Sequence, residues 1–157
     1  NVFTYICCMV KIEEEIQQKK FNSPQHKAVV NLLFTYGKIS TTQHHTLKPY
    51  GLSVQQFNVL RILRGQFPKP ATVKLLTERM IDKMSNASRL VDKLLTKNLV
   101  ERKGSRSDRR QVDIIITNKG LKTIEAASLV MENVMSSINI SNDDAEQLSV
   151  LLDKMRT

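Results

Sequence analysis

The side chains best equipped for covalent or acid–base chemistry are present in this chain, but they lack suitable partners. Cys7 and Cys8 are adjacent, which offers neither a disulfide framework nor the C-x-x-C spacing of a zinc or redox site. His26, His44 and His45 have no Ser, Cys or Asp at a recognisable spacing, and paired histidines near a helix end more often face solvent than a metal. Glu13-Glu14-Glu15 reads as a solvated helical face and Asp143-Asp144 as first-turn helix acids, so neither supplies a general acid and base. Gly37, Gly51, Gly65, Gly104 and Gly120 are scattered and build no phosphate-cradling loop. No catalytic, metal or cofactor site can be assembled, and an enzyme is not expected.

Basic side chains are concentrated instead. Residues 72–110 carry eleven Lys and Arg against five Asp and Glu, which is +6 of the formal +9. A localised basic footprint of this kind suits a polyanion. DNA rewards several cations on one convex surface, and sequence selectivity then needs short hydrogen-bonding side chains near base edges. Residues 85–97 hold both. Ser85, Asn86, Ser88 and Arg89 crowd one end, where Asn suits adenine and Arg suits guanine, and Lys93 and Lys97 follow at positions for phosphate. The competing reading makes Ser85 a helix cap and pairs Arg89 with Asp92 or Glu101.

These residues need elements to hold them. The chain has 157 residues, 41% hydrophobic and 25% charged, enough for one globular domain with a full core. Residues 2–10, the longest apolar stretch, are interrupted by Thr4 and fall far short of the roughly 20 residues a membrane span requires. They lack the basic start of a secretory signal and read as a processed or foreign end. A reducing cytoplasm is expected, with no membrane partner. There is no internal repeat and no low-complexity tract.

Ser23 and Pro24 suit a helix start, and Val29, Leu32, Leu33 and Tyr36 follow at helical spacing to about His45. Ser53 and Gln56 form an S-x-x-Q capping box with Leu52 and Phe57 as a hydrophobic staple, so Phe57, Leu60 and Leu63 should point inward. Residues 65–70, with a glycine and two prolines, read as a loop. Thr72 opens a short helix with Val73, Leu76 and Met80 on one face. After a break at 81–83, residues 85–97 form a second helix with Ala87, Leu90, Val91, Leu94 and Leu95 as its apolar stripe. Asn98 suits a left-handed helix end. A strand at 99–103, a polar tip with Arg106, Arg109 and Arg110, and the alternating Val112, Ile114 and Ile116 make a hairpin. Two further helices follow, one with Leu121, Ile124, Met131, Val134 and Ile138 on its face. The other starts at Ser141 with Ala145, Leu148, Leu152 and Met155 inward and Lys154 and Arg156 at its end.

The expected fold class is therefore mainly α with a small β-hairpin wing, a winged helix-turn-helix flanked by N- and C-terminal helices. A single domain over 1–157 would place the winged lobe at about 53–117 and helical dimerisation regions at about 11–47 and 118–157. The apolar complement of these arms exceeds what the small basic lobe can bury, so arms from two chains are expected to wrap each other as a homodimer.

From Ser23 onward the chain resembles the MarR family of bacterial transcription regulators. Its wing ends Asp108-Arg109-Arg110, then Ile114-Ile115-Ile116-Thr117-Asn118-Lys119-Gly120, similar to the family's Asp-x-Arg followed by aliphatic-Thr-x-x-Gly. Ser88-Arg89-Leu90-Val91-Asp92-Lys93-Leu94 and Leu99-Val100-Glu101-Arg102 resemble its recognition helix and first wing strand, and Asn98 stands where the family commonly has glycine. The resemblance implies a homodimeric, sequence-specific repressor on a pseudo-palindromic operator in double-stranded DNA, with recognition helices in successive major grooves and wings beside the duplex. It implies that Arg110 reaches DNA with Arg106 and Arg109 in support, and that Asp108 structures the wing through a basic neighbour. It also implies release by a small-molecule effector or other signal, with a pocket between arms and lobe near Phe34, Tyr36, His44 and Phe57. Some members sense peroxides through an N-terminal cysteine, but Cys7 and Cys8 have only Lys11 nearby to lower a thiol pKa. The alternative is a winged-helix protein-interaction module without specific DNA binding.

Overall fold

The structure is a computed structural model that describes residues 10–104 and 112–156. The chain divides within its second helix into one unit that ends at Thr41 and another that begins at Thr42. In the first unit lie α1 (Ile12–Glu15) and most of α2 (Pro24–Leu47). Ser23 Oγ accepts from the His26 amide at 3.1 Å, and Pro24 occupies the position where an N–H would be orphaned. Two of the three acids expected on a solvated face have partners here. Glu13 pairs with Lys27, and Glu15 with Lys38 at 2.7 Å, so α1 is tied to α2.

In the second unit a 3₁₀ turn (Lys48–Tyr50) ends at Gly51, whose φ of 63° is left-handed. α3 (Val54–Gln66) starts with both bonds of the capping box formed: the Gln56 amide donates to Ser53 Oγ, and the Ser53 amide to Gln56 Oε1. Gly65, expected in the loop, sits in the last turn of α3, and the helix yields only at Phe67, before the prolines. An exposed glycine there costs about 1 kcal/mol, too little to end a helix whose Leu60 and Leu63 are already buried.

α4 (Val73–Arg79) and α5 (Ala87–Thr96) follow, capped by Thr72 and Asn86. β1 (Val100–Gly104) and β2 (Val112–Ile116) pair antiparallel, with Val100 opposite Ile116 and Arg102 opposite Ile114. Ala71 exchanges two backbone hydrogen bonds with Ile114, at 2.9 and 2.8 Å, and so anchors the loop before α4 to the wing. Leu47, Leu60, Leu76, Leu94, Ile114 and Ile124 are fully buried, so every element from the end of α2 to α6 (Asn118–Ser136) contributes to one core.

The junction between wing and α6 shows why Thr-x-x-Gly ends the hairpin. Thr117 Oγ1 accepts from the Gly120 amide at 3.0 Å as the helix cap and donates to the Asn98 carbonyl at 2.9 Å. A Cβ at Gly120 would stand 2.1 Å from the Leu99 carbonyl oxygen, so only glycine lets α6 approach so closely. Lys119 Nζ meets the Lys97 carbonyl at 2.9 Å, a cation on the last orphan acceptors of α5. Asn98 has the left-handed φ of 58° that its position calls for.

α7 (Asn142–Lys154) departs from expectation. It begins with Ser141 as cap and Asp143 and Asp144 in its first turn, but none of its side chains is buried. Leu148 and Met155, expected inward, are 46% and 52% exposed. Helical spacing identifies an apolar face without specifying what covers it.

Candidate nucleic-acid interface

α5 spans about 15 Å at 1.5 Å per residue, enough to lie along a major groove. Ala87, Val91 and Leu94 fix one side of it in the core, with Leu90 and Leu95 partly buried against that core. The opposite side then presents Ser88, Arg89, Asp92 and Lys93, all exposed. The helix starts two residues later than the sequence suggested, and Asn86, not Ser85, is the cap. Its Oδ1 accepts from the Arg89 amide at 3.0 Å. Bidentate pairing with adenine needs that oxygen, so Asn86 is left chiefly as an amide donor.

Ser85 is committed to the turn between α4 and α5. Its hydroxyl donates to Asp82 Oδ2 at 2.6 Å, and the Met84 amide donates to Asp82 Oδ1 at 3.0 Å. These bonds, the Ser85 hydroxyl first, hold the Asp82 carboxyl below its ordinary range. Asn58 Oδ1 on α3 accepts from the Ile81 amide at 3.1 Å, so the turn is pinned at both ends. Ile81 and Met84 stand 83% and 94% exposed beside it, two large apolar side chains next to the polar start of α5. Nothing in the sequence periodicity marked Asp82 or these two residues, because a turn has no period.

Arg89 has no ion pair among the described residues. Of the two acids expected to compete for it, Glu101 pairs with Lys103 at 3.7 Å and Asp92 with Arg102 on β1 at 2.7 Å. That exposed pair adds little stability, yet it neutralises the one carboxylate on the outer face of α5. The register that brings β1 alongside α5 was not readable from local spacing.

Lys97, expected at phosphate, is turned inward and partly buried: its Nζ donates to the Gly51 carbonyl at 2.5 Å and to Gln56 Oε1 at 2.9 Å. With Lys93 it lines a cleft of about 550 Å³. Of the four residues expected at an effector, His44 lines this cleft, whereas Phe57 is 6% exposed and belongs to the core. Phe34 and Tyr36 lie in the first unit, Phe34 half-buried with Lys38 Nζ 4.9 Å from its ring centre and Tyr36 66% exposed. Arg106, Asp108, Arg109 and Arg110, with Cys7 and Cys8, lie outside the described residues. Among the described residues no three His, Cys, Asp or Glu converge on a metal position, and no helix is long and apolar enough to cross a membrane.

A family profile described as MarR family matches residues 50–111, from the turn before α3 into the wing. The HTH-type transcriptional regulator MgrA of Staphylococcus aureus is 32% identical over 108 residues, 69% of this chain and 72% of the relative. Among solved structures, the organohalide-sensing transcriptional regulator RdhR in its 2,4-dichlorophenol-bound form superposes with a TM-score of 0.78 at 21% identity, covering 88% of this chain and 85% of that one. The MepR–DNA complex of S. aureus does so with a TM-score of 0.72 at 20% identity, covering 79% and 92%. At those identities the two structures speak for the winged-helix fold.

Proposed function

The chain belongs to the MarR family of transcription regulators, and on that footing we propose that it is a homodimeric, sequence-specific repressor that binds a pseudo-palindromic operator in the cytoplasm and is released by a small-molecule signal. The observation that carries this reading is Arg89: an exposed guanidinium at the start of a capped helix, with its rival acids Asp92 and Glu101 occupied by Arg102 and Lys103. In this reading Arg89 reads a guanine, Ser88 and the Asn86 amide contact neighbouring base edges or phosphate, and Lys93 meets phosphate. Ser85 acts through the turn, and Met84 can meet a thymine methyl group. Arg106, Arg109 and Arg110 serve the wing's contacts, with Asp108 as its organiser. MepR, whose solved form contains DNA, and RdhR, whose solved form contains a chlorophenol, support the two halves of the reading.

Dimerisation is supported by the apolar side chains that α7 leaves uncovered, Leu148, Val150, Leu151 and Met155. A two-fold dimer repeats the α5 surface, so half-sites should lie about one helical turn, roughly 34–36 Å, apart. Selection of bound duplexes from a random pool tests this. The expected result is an inverted repeat with that spacing. A monomer in solution that enriches no sequence would favour the interaction-module alternative.

A further inference from the structure

The cleft beside α5 is electrostatically one-sided. His44 and His45 from the end of α2, Lys48 from the 3₁₀ turn, and Lys93 and Lys97 from α5 face it, and no carboxylate is among the residues that line it. Three lysine cations around one concavity repel each other, and nothing within the cleft balances them. Lys97 is built into the wall. Its ammonium is held by two neutral acceptors, the Gly51 carbonyl and Gln56 Oε1, which leaves the third N–H without a protein acceptor among the described residues. Gln56 is itself 4% exposed and fixed by the capping box. Leu52 and Leu90 supply an apolar side to the same space.

We propose that this cleft binds a small phosphate monoester, with the phosphate among Lys48, Lys93 and Lys97 and the organic body against Leu52 and Leu90. Charge decides the class: a monoester carries about −1.5 to −2 near pH 7, whereas a monocarboxylate would leave most of the lysine charge unbalanced. Size agrees, because 550 Å³ lies in the range of small-molecule pockets and leaves room beyond the phosphate group. A convex ridge of lysines would suit a duplex backbone; a concave site with an inward-turned Lys97 suits a small anion. Its regulatory consequence rests on the proposed function: Lys93 can serve the bound ester or a DNA phosphate, so ligand and operator compete for one cation.

The test uses the full chain and phenyl phosphate, inorganic phosphate and benzoate as probes at fixed ionic strength, followed by backbone amide NMR. Phenyl phosphate should saturably shift Gly51, Ser53 and Leu90 and bind about tenfold or more tightly than benzoate, the range expected for added charge-assisted hydrogen bonds. Lys97→Gln and Lys48→Ala should each weaken it by about tenfold. Lys48 makes no ion pair among the described residues, so that variant decides the matter if Lys97→Gln unfolds. Inorganic phosphate binding as tightly as phenyl phosphate would overturn the ester, and unsaturable shifts spread over all surface lysines would overturn the site. Loss of duplex affinity in Lys48→Ala with phenyl phosphate binding unchanged would give the cleft to the DNA backbone. In the wild type, saturating phenyl phosphate should lower duplex affinity. Binding to the cleft without that loss would overturn the competition, and cleft binding in a chain that binds no duplex would place the failure in the DNA reading alone.

Discussion

The winged lobe and α7 are both built from amphipathic helices with well-formed caps, yet they dispose of their apolar residues in opposite ways. In the lobe, Leu60, Leu76, Leu94 and Ile114 are sealed from water by contacts within one chain. In α7, capped by Ser141 and with dipole-matched ends, Val150 and Leu151 stay more than half exposed. A cap and a 3.6-residue period determine that a helix forms; they leave open whether its apolar face is closed by its own chain or by another. The lobe therefore owes its stability to the fold, whereas α7 has apolar surface to offer a second copy.

Substitutions can break this contrast. The largest effect is expected from Leu94→Ala, which opens a cavity in the lobe core and should cost about 2–5 kcal/mol in denaturant unfolding. Gly120→Ala should cost about 1–3 kcal/mol by forcing α6 away from the Leu99 carbonyl. Its thermal or denaturant midpoint should fall while far-ultraviolet dichroism stays native. Arg89→Ala should leave stability unchanged and reduce discrimination by about 1–3 kcal/mol at one base position per half-site, read from binding to duplexes that vary there. Leu151→Ala, by contrast with Leu94→Ala, should shift unfolding of a dilute monomer by no more than about 0.5 kcal/mol, while sedimentation shows weaker self-association. A cost in the dilute monomer as large as that of Leu94→Ala would erase the distinction between the two regions.

The smallest effect concerns pH. Asp82 has its folded pKa lowered by the Ser85 hydroxyl and the Met84 amide. Its contribution to the turn is thus present above its unfolded pKa and lost as pH falls through the lower folded value. Protection of the Met84 and Ser85 amides, measured relative to their intrinsic exchange rates at each pH, should fall in that acid window, and Asp82→Asn should remove this change in protection.

Much of this fold was legible where a local rule has one physical solution. The Ser53–Gln56 box, the left-handed Asn98, and the alternation of Ile114 and Ile116 all formed as spacing implied. What escaped were relations between distant residues: the bridge of Ala71 to Ile114, the capture of Asp92 by Arg102, and the inward turn of Lys97 toward Gly51 and Gln56. Lys97 is the instructive case. Its place on a basic helical face suggested phosphate, but it stands within reach of the Gly51 carbonyl and Gln56 Oε1, and a long flexible stem lets the ammonium go to the nearest acceptor. The candidate site was thus readable as a face and unreadable as a set of individual roles.

In the proposed function, the outer face of α5 reads DNA sequence. This reading is tested most directly by measuring the affinity of the wild type, Arg89→Ala and Lys93→Ala for a selected duplex and its scrambled counterpart at two salt concentrations. Arg89→Ala should narrow the gap between the two duplexes, and Lys93→Ala should weaken both and reduce the salt slope by about one. Unchanged affinity, discrimination and slope in both variants would contradict it.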